Sequence, residues 1–360
     1  MPWFVGRSPT NPNYHFGSVA GRHVVMFFAG SLAAPTSADV HRALLAQRQL
    51  FDDLRCSLFV VTADETDVAA ARARDQLPGI RVLCDFDAKV SALFGLAVAR
   101  ESAQVMIHPA IAVLDPTLRV MRWFVCTEAA RDPVPQVAAF VAELPQPLTG
   151  PAQLQAPVII VPQVFEPEIC RELIAYYDRI GGKDSGYMRK DPDGIRGVID
   201  YAMKRRVDCL IEDETLRRAV GARIHRRLKP EILRVFRFDA TRMERYLVAC
   251  YDSEVGGYFR PHRDNDGDGH RQFAVTLNLN SEDYDGGDLR FPEYGQLTYR
   301  APTGAACVFS CGLMHEATPV TRGRRYAFLP FLYDEASAEK REANNSKYPD
   351  PSHHYFRQKK

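Results

Sequence analysis

The sequence predicts two domains, an α/β domain followed by an α+β domain in which helices brace a barrel or sandwich of short strands. Three observations predict this division. Strand and helix patterns alternate through the first 145 residues, short strands separated by turns dominate after about residue 245, and a Pro-rich segment lies between the two halves. At 360 residues the chain has room for two domains of ordinary size.

The first domain is predicted to cover residues 1–145. Apolar runs predict strands at 23–28, 57–61, 80–84, 111–115 and 119–125, and helical patterns predict helices at 38–53, 66–75, 86–97 and 134–144. This succession is typical of a central sheet covered by helices. Residues 146–157, which include Pro147, Pro151 and Pro157, break both periodicities and are the predicted linker.

The second domain is predicted to cover residues 158–334. It opens with a strand at 158–161, and helical spacing then appears around 169–177 and 216–228. Short strands follow at 245–251, 272–279, 288–291, 297–300, 305–310 and 326–333, separated by turn-forming pairs such as Gly286-Gly287. The polar residues 335–360 are expected to form a partly ordered tail.

Composition excludes several classes of function. Lys plus Arg (46) nearly balances Asp plus Glu (45), so no nucleic-acid partner is expected. No stretch approaches 18 uncharged apolar residues, and the N-terminus turns polar before an apolar region forms, so we expect a cytoplasmic protein without a membrane partner. The eight cysteines form no CxxC pair and are expected to be buried free thiols. Cys307 and Cys311 could share one face of a strand, but they lack the second pair or the nearby histidines that a zinc site needs. The sequence leaves open whether the protein forms a homo-oligomer.

His262-Arg263-Asp264, followed by His315 and Arg325, is the motif with the clearest chemistry. Two histidines and one carboxylate leave part of an iron(II) coordination sphere open, as in non-haem oxygenases. On a strand, His262 and Asp264 would share a face with Cα atoms roughly 6.7 Å apart. His315 follows after a gap in which several antiparallel strands can return to the same place. Arg325 would then bring a guanidinium suited to a bidentate grip on a carboxylate.

Two other readings compete for this motif. Asp264, Asp266 and Asp268 imitate the start of an EF-hand, but the twelfth place of such a loop must be glutamate and is Val275 here, so calcium is excluded. A solvated turn explains an isolated His-x-Asp, but it leaves the placement of His315 and Arg325 unexplained. The residues therefore predict a metal site of His262, Asp264 and His315.

Four blocks in this half resemble a known family, in the same order. They are YLVACY at 246–251, GYFRPHRDN at 257–265, GGDLRFP at 286–292 and HEATPVTRGRRY at 315–326. They are similar to the prolyl 4-hydroxylase superfamily of iron(II)/2-oxoglutarate oxygenases, and most similar to its oxygen-sensing prolyl hydroxylase branch. The resemblance covers residues 158–334 and implies a double-stranded β-helix, or jelly-roll, core braced by helices.

The resemblance also implies roles for individual residues. The iron ligands would be His262, Asp264 and His315, and Arg325 would clamp the distal carboxylate of 2-oxoglutarate. Tyr251 matches a tyrosine of the co-substrate pocket, Tyr258 a second active-site tyrosine, and Arg271 a position near the substrate entrance. Core packing explains either tyrosine equally well, and solvation explains Arg271 better. Asn278 departs from the branch, which has a tyrosine helping to hold the distal carboxylate. The amide of Asn278 can still donate a hydrogen bond, but the asparagine side chain is shorter than that of tyrosine.

The first domain resembles the peroxiredoxins and related thioredoxin-fold proteins over residues 15–145, through FFAGS at 27–31, APT at 34–36, VVTAD at 60–64 and AVLDP at 112–116. In that family a peroxidatic cysteine precedes the Pro-Thr pair at the start of a helix, where the helix dipole lowers its pKa. This chain has Ala34 there, so no thiol peroxidase activity is expected at that place. The cysteines at 56, 84 and 126 are expected to be inert, and the domain to serve as a scaffold, a dimerisation surface or a substrate-docking module.

These observations favour an iron(II)- and 2-oxoglutarate-dependent dioxygenase that hydroxylates a C–H bond of a protein or peptide side chain, with proline the first candidate. The expected cofactors are Fe(II), 2-oxoglutarate and O2, with ascorbate as a candidate reductant. The carboxylate of Asp264 favours hydroxylation, because related halogenases lack it. Hydroxylation of a free amino acid or another small metabolite is the alternative within enzymes. A redox-responsive sensor or binding protein with a vestigial oxygenase site is the alternative of another class.

Overall fold

The computed structural model describes residues 4–99, 105–127, 133–146, 154–267 and 269–357. The chain forms two compact units, Met1–Pro151 and Ala152–Lys360, and each unit is described by itself below. Most of the predicted linker, residues 147–153, lies outside the described residues. Within the described ranges, no helix is long and apolar enough to cross a membrane.

Within the described residues, the first unit contains a mixed main sheet and four α-helices. The strands described in it are β1 Val5–Gly6, β2 Tyr14–His15, β3 His23–Gly30, β4 Cys56–Thr62, β5 Ile80–Cys84, β6 Ala97–Ala99, β7 Val105–Ile107, β8 Ala110–Leu114 and β9 Val120–Val125. Its helices are α1 Pro35–Ala46, α2 Glu65–Ala69, α3 Lys89–Leu93 and α4 Val134–Glu143, with 3-10 helices at Phe16–Val19 and Arg48–Leu50. The main sheet has the order β5-β4-β3-β8-β9, in which β3, β4 and β5 are parallel and β8 and β9 are antiparallel to their neighbours.

Both faces of this sheet are covered, which explains the continuous apolar run of β3. Val25 and Phe27 pack in one cluster with residues of α1 and α4, whereas Val24 and Met26 pack in a second cluster on the opposite face. The two clusters alternate along the strand because successive side chains point to opposite faces.

Three helices of the first unit are shorter than the sequence predicts. Helix α1 begins at Pro35 and ends at Ala46, whereas the predicted span is 38–53. Helix α2 ends at Ala69, before Ala71 adopts a positive φ of 55°, and α3 ends at Leu93, before Gly95 with a φ of 74°. A left-handed residue cannot continue an α-helix, so the predicted spans 66–75 and 86–97 are too long.

The second unit contains two facing sheets and the helices that support one of them. The strands described in it are β10 Ile159–Val161, β11 Lys183–Asp184, β12 Tyr187–Asp191, β13 Gly194–Val198, β14 Lys204–Arg205, β15 Val207–Leu210, β16 Arg242–Glu244, β17 Leu247–Asp252, β18 Tyr258–His262, β19 Phe273–Asn278, β20 Asp285–Gly286, β21 Leu289–Arg290, β22 Thr298–Tyr299, β23 Ala306–Ser310, β24 His315–Ala317, β25 Val320–Arg322, β26 Arg324–Phe328 and β27 Phe331–Tyr333. Its helices are α5 Pro167–Ile180, α6 Glu214–Arg223, α7 Lys229–Phe236 and α8 Glu335–Ala343, with a π-helical turn at Ile224–Leu228 and 3-10 helices at Ser253–Val255, Pro292–Tyr294, Asn344–Lys347 and Pro351–His353.

The larger sheet runs β10-β23-β19-β26-β17-β15-β11, and β27 pairs with β19 and β16. Apolar side chains of α5, α6 and α7, including Leu173 and Val220, pack on one of its faces against residues such as Val248 and Phe328. The smaller sheet runs β14-β18-β24-β21-β22. Residues of β17 share a buried cluster with residues of β18 and β24, so the two sheets are packed on each other.

Two predicted segments of this unit look different in the structure. The predicted strand 326–333 is divided into β26 and β27 around Pro330, which has no backbone N–H to donate within a sheet. Residues 335–343 of the predicted polar tail form α8. The side chain of Asp334 accepts a hydrogen bond from the Ser337 backbone and caps that helix.

Candidate functional site

The three predicted metal ligands come together in one cavity, beside the paired strands β18 and β24 of the smaller sheet. His262 is the last residue of β18, and it lies directly opposite His315, the first residue of β24. Strand β18 ends at His262, so strand alternation does not place Asp264, contrary to the expectation. A bend in the chain at Asp264 places its side chain instead, and the backbone N–H of Asp264 donates to the carbonyl of Cys311 at 3.1 Å.

The three side chains present their ligand atoms to one point. The Nε2 atom of His262 lies 3.7 Å from Asp264 Oδ1, and that of His315 lies 3.3 Å from Asp264 Oδ2. One ligand atom from each residue lies within 4.8 Å of the others. These separations suit a single metal ion bound by two imidazoles and one carboxylate.

Backbone contacts fix the tautomer of both histidines. Nδ1 of His262 lies 2.7 Å from the carbonyl oxygen of Arg260, and Nδ1 of His315 lies 3.0 Å from that of Leu313. A carbonyl oxygen only accepts hydrogen bonds, so the ring proton is on Nδ1 in each case. The lone pair of each Nε2 is therefore free to bind a metal, as the outer hydrogen bonds of metal-binding histidines normally ensure.

The electrostatics favour the protonation states that a metal requires. Burial, with a contribution from His315, lowers the pKa of His262 to about 3. Burial raises the pKa of Asp264, but the imidazoles of His315 and His262 outweigh this effect and hold it below its usual range. At neutral pH the site thus offers a neutral His262 and an ionised carboxylate, which is the state that binds divalent cations.

Arg325 lies in β26 of the larger sheet, facing the same cavity. Only 2% of its surface is exposed, and within the described part of the chain its Nε and Nη1 atoms have no hydrogen-bond partner. Its Nη2 lies 3.4 Å from the side-chain oxygen of Asn278. A buried guanidinium with two unpartnered nitrogen atoms is rare unless a ligand completes it, and its planar fork fits a carboxylate.

Asn278 and Tyr251 hold Arg325 in place. The Asn278 amide nitrogen donates to the carbonyl of Ala301 at 2.8 Å, so its oxygen faces the guanidinium. In this arrangement the side-chain oxygen of Asn278 orients Arg325. Tyr251 is buried, lines the cavity and accepts a 3.3 Å hydrogen bond from Arg206.

Tyr258 lies away from the three ligands. Its hydroxyl donates to the backbone carbonyl of Tyr201 at 2.7 Å, and it is not among the described residues that line the cavity. The register of β18 shifts between Phe259 and His262, and the Phe259 ring therefore stacks on His262 with ring centres 3.5 Å apart. With simple strand alternation, Tyr258 would lie on the same face as His262. Because the pairing is irregular, Phe259 lies there instead.

Arg271 lies at the mouth of the site. Its Nε donates to Glu244 at 2.7 Å, and its guanidinium lies 4.1 Å from the ring centre of Phe331. Together with Asp264 and the hairpin β12–β13 it lines a second cavity of about 650 Å³, which we call the outer groove. The smaller cavity lined by the three ligands, Tyr251 and Arg325 is called the inner cavity.

Sequence reasoning missed a basic cluster beside the ligands, formed by Lys204, Arg206 and Arg245 around Asp208. Asp208 accepts hydrogen bonds from Arg206 at 2.6 Å and from Arg245 at 3.2 Å, and these cations outweigh burial to lower its pKa to about 2. The Nζ atom of Lys204 donates to the Ser185 hydroxyl and the Gly186 carbonyl, and burial lowers the pKa of Lys204 to about 6, so that its side chain is mainly a neutral amine at pH 7.

The only signal for this cluster was the basic run KRR at 204–206, which usually indicates a solvated surface. The pairing of β14 with β18 and of β15 with β17 brings the run to the site. That pairing joins strands about 50 residues apart in the chain and could not be read from local periodicity.

A comparison with protein families identifies the class of this site. Residues 246–333 match the 2OG-Fe(II) oxygenase superfamily. This stretch contains His262, Asp264, His315 and Arg325, and the resemblance noted in the sequence is thereby confirmed. This part of the chain is therefore similar to 2OG-Fe(II) oxygenase domains.

Individual relatives are similar over parts of the chain. A PKHD-type hydroxylase of Synechococcus sp. (strain JA-2-3B'a(2-13)) is 37% identical over 94 residues, which are 24% of this chain and 41% of the relative. The chain thus spans about two fifths of the length of that relative. Among solved structures, a Pseudomonas putida prolyl-4-hydroxylase is similar over 50% of this chain and 94% of its own, with 19% identity and a TM-score of 0.38. Peroxidoxin BcpB of Mycobacterium tuberculosis is similar over 41% of this chain and 96% of its own, with 18% identity and a TM-score of 0.35.

The thiols of the first unit lie where the sequence led us to expect them. All eight cysteines of the chain are free and buried. Burial raises the pKa of Cys56 and of Cys126 to about 12, which makes both poor nucleophiles. Ala34 is the exposed N-cap residue of α1, at the place where a helix dipole would activate a thiol.

Proposed function

We propose that this chain is an iron(II)- and 2-oxoglutarate-dependent dioxygenase that hydroxylates a C–H bond, most simply on a protein or peptide side chain, with release of succinate and CO2. The observation that carries the proposal is Arg325, a buried guanidinium with unpartnered nitrogen atoms in the same cavity as the three ligands. The cavity thus offers a metal site and a carboxylate site together, as the co-substrate requires.

Each residue of the site has a role in this proposal. His262, Asp264 and His315 would hold the iron, and Arg325 would bind the distal carboxylate of 2-oxoglutarate, with Asn278 and Tyr251 fixing its orientation. Bound iron would supply the oxidation chemistry that side chains lack. Apolar residues around the ligands, such as Phe259 and Leu289, exclude bulk water from the inner cavity. We infer that the two facing sheets form the double-stranded β-helix core of this domain.

The outer groove supports a protein or peptide substrate. It is bounded by the hairpin Tyr187–Val198 and opens beside Asp264, and a further cavity of about 670 Å³ continues from there to residues 344–348. An extended backbone with several side chains has room in these two cavities, whereas a free amino acid would occupy only a part of them. Hydroxylation of a small metabolite is kept as the alternative. The first unit is proposed to be non-catalytic, because Ala34 stands where a peroxidatic cysteine would.

Succinate release from 2-oxoglutarate tests the proposal. We expect aerobic, iron-dependent succinate formation by the full chain, increased by ascorbate, and its loss in His262→Ala. His225→Ala, which changes an exposed helix residue, is the matched control. Incubation with peptide libraries and mass spectrometry would then identify the acceptor through a gain of one oxygen. Failure of anaerobic wild-type protein to bind both iron(II) and 2-oxoglutarate would overturn the assignment.

A further inference from the structure

Two guanidinium groups besides Arg325 line the inner cavity, and the proposed function uses neither of them. They belong to Arg206 and Arg245, and both donate to the same carboxylate, that of Asp208. Arg206 is 7% exposed, and its Nε atom has no hydrogen-bond partner among the described residues. Among the described residues, the side chain of Arg245 makes one hydrogen bond, which is to Asp208 at 3.2 Å.

The formal charges of the cavity leave a positive excess. Under the proposed function, iron(II) and Arg325 would balance Asp264 and the two carboxylates of 2-oxoglutarate. The group of Arg206, Arg245 and Asp208 then retains one positive charge, and its three side chains are only 4%, 26% and 13% exposed. A buried uncompensated charge is costly, and an anion that enters the site would relieve it.

Arg245 is the member of this group that a substrate can reach. It lines both the inner cavity and the outer groove, as His262 and Asp264 do, and about a quarter of its side chain, 26%, is exposed. Its guanidinium lies 5.2 Å from the ring centre of Phe331, which keeps it directed along the cavity wall.

The backbone at Arg245 is also unusual. Its φ is 66°, in the left-handed region that non-glycine residues rarely adopt. The residue stands between β16 and β17, and its side chain lines both cavities. Backbone strain of this kind is concentrated at functional positions, and here it accompanies a free guanidinium edge.

We propose that Arg245 is a specificity-determining residue that binds a carboxylate of the prime substrate, next to the carbon that is oxidised. Arg206 and Asp208 act as positioning residues, because they hold the guanidinium of Arg245 at the junction of the two cavities. The inference rests on the proposed function and adds a substrate class to it. The carboxylate would belong either to an acidic residue of a peptide or to a free carboxylic acid, since the planar fork of an arginine binds both in the same way.

Binding of matched acids and amides tests this inference without turnover. The full chain is loaded under anaerobic conditions with Mn²⁺ and 2-oxoglutarate, and paramagnetic broadening of probe protons reports binding close to the metal. One pair is N-acetylproline and N-acetylprolinamide. The second pair is an acetylated, amidated peptide of sequence Ala-Pro-Glu-Ala and its Gln counterpart. The first pair represents a free acid and the second an acidic peptide.

We expect the acid of at least one pair to bind about tenfold more tightly than its amide in wild type. Arg245→Gln should reduce this preference to less than about threefold, Arg245→Lys should retain part of it, and Arg245→Glu should reverse it. Arg322→Gln is the control, because it removes an exposed arginine paired with the exposed Asp285. The pair that shows the preference identifies the source of the carboxylate.

Three results would overturn the inference. The first is equal binding of acid and amide by wild type. The second is the absence of paramagnetic broadening for every acid probe with the loaded protein. The third is an unchanged preference for the acid in Arg245→Gln while Mn²⁺ and 2-oxoglutarate are bound. In these cases the proposed function stands, since the loaded complex has formed. Failure of wild type to form that complex at all would overturn the proposed function itself and the inference with it.

Discussion

Tyr251 and Arg325 are directly opposite each other on the neighbouring strands β17 and β26, and the guanidinium of Arg325 lies 5.0 Å from the centre of the Tyr251 ring. The ring covers one face of the cation and excludes water from it, while the unpartnered Nε and Nη1 atoms remain directed into the cavity. Sheet register thus prepares a carboxylate site before any ligand is bound.

Arg325→Gln is expected to raise the KM for 2-oxoglutarate roughly 30-fold, since a buried hydrogen bond to a charged group contributes about 2 kcal/mol. Iron binding by the three ligands should change little, because Arg325 lies on the other sheet. The measurement is the 2-oxoglutarate dependence of succinate release, together with Mn²⁺ affinity. Arg324→Gln is the control, because the neighbouring Arg324 is exposed and pairs with Asp252. An equal rise of KM in both variants would argue against a specific role for Arg325.

Divalent metal is expected to stabilise the folded protein. A ligand that binds only the native state at 100 times its dissociation constant contributes about 2.7 kcal/mol, which for a domain of this size raises Tm by roughly 5–10 °C. Mn²⁺, which does not oxidise, should produce this shift in wild type and not in His315→Ala. The quantity compared is the shift on adding metal, so that any loss of stability in the variant itself does not affect the result. A wild-type shift unchanged in His315→Ala would place the metal elsewhere.

The parts of the site that follow local rules could be predicted from the sequence, and the parts that depend on long-range register could not. His262, Asp264 and His315 are recognisable because their side chains define a chemistry by type and spacing. Tyr258 was misplaced because one irregular pairing in β18 exchanges the faces of neighbouring residues.

The same distinction explains the fold. Long apolar runs such as His23–Gly30 identify strands covered on both faces, whereas the hairpin Tyr187–Val198 is largely polar and exposed and carried no such pattern. The burial of Lys204 and Arg206 could not be predicted for a related reason. Their burial results from pairing with distant strands, and a basic run contains no information about its partners.

Lys204 is expected to give the protein a distinct dependence of stability on pH. It is 4% exposed, and burial lowers its pKa in the folded state from 10.5 to about 6. Between these two values the unfolded state binds a proton that the folded state does not, so the free energy of unfolding rises with pH across this window.

Lys204→Met should make the free energy of unfolding depend less on pH across this window. At pH 7 it should raise the free energy of unfolding by on the order of 1 kcal/mol, because the cost of burying an amine is removed. Urea unfolding at several pH values between 6 and 10 measures the effect. Lys89→Met, at an exposed lysine, should leave the slope unchanged. A wild-type stability that falls through this window, or an identical slope in Lys204→Met, would contradict the assignment of the effect to Lys204.

Ala34→Cys is expected to create a reactive thiol in a protein that otherwise has none. Position 34 is exposed and caps the N-terminus of α1, where the helix dipole stabilises a thiolate, whereas the eight native thiols are buried. Brief treatment of the folded variant with iodoacetamide at neutral pH should therefore add one label, and wild type should gain none. Intact-protein mass spectrometry counts the labels, and peptide mapping assigns them. A Ser31→Cys variant, three residues earlier and before the helix, is the matched control and should react more slowly. Rapid labelling of native cysteines in folded wild type would show that burial does not protect them and would reopen a thiol-based role for the first unit.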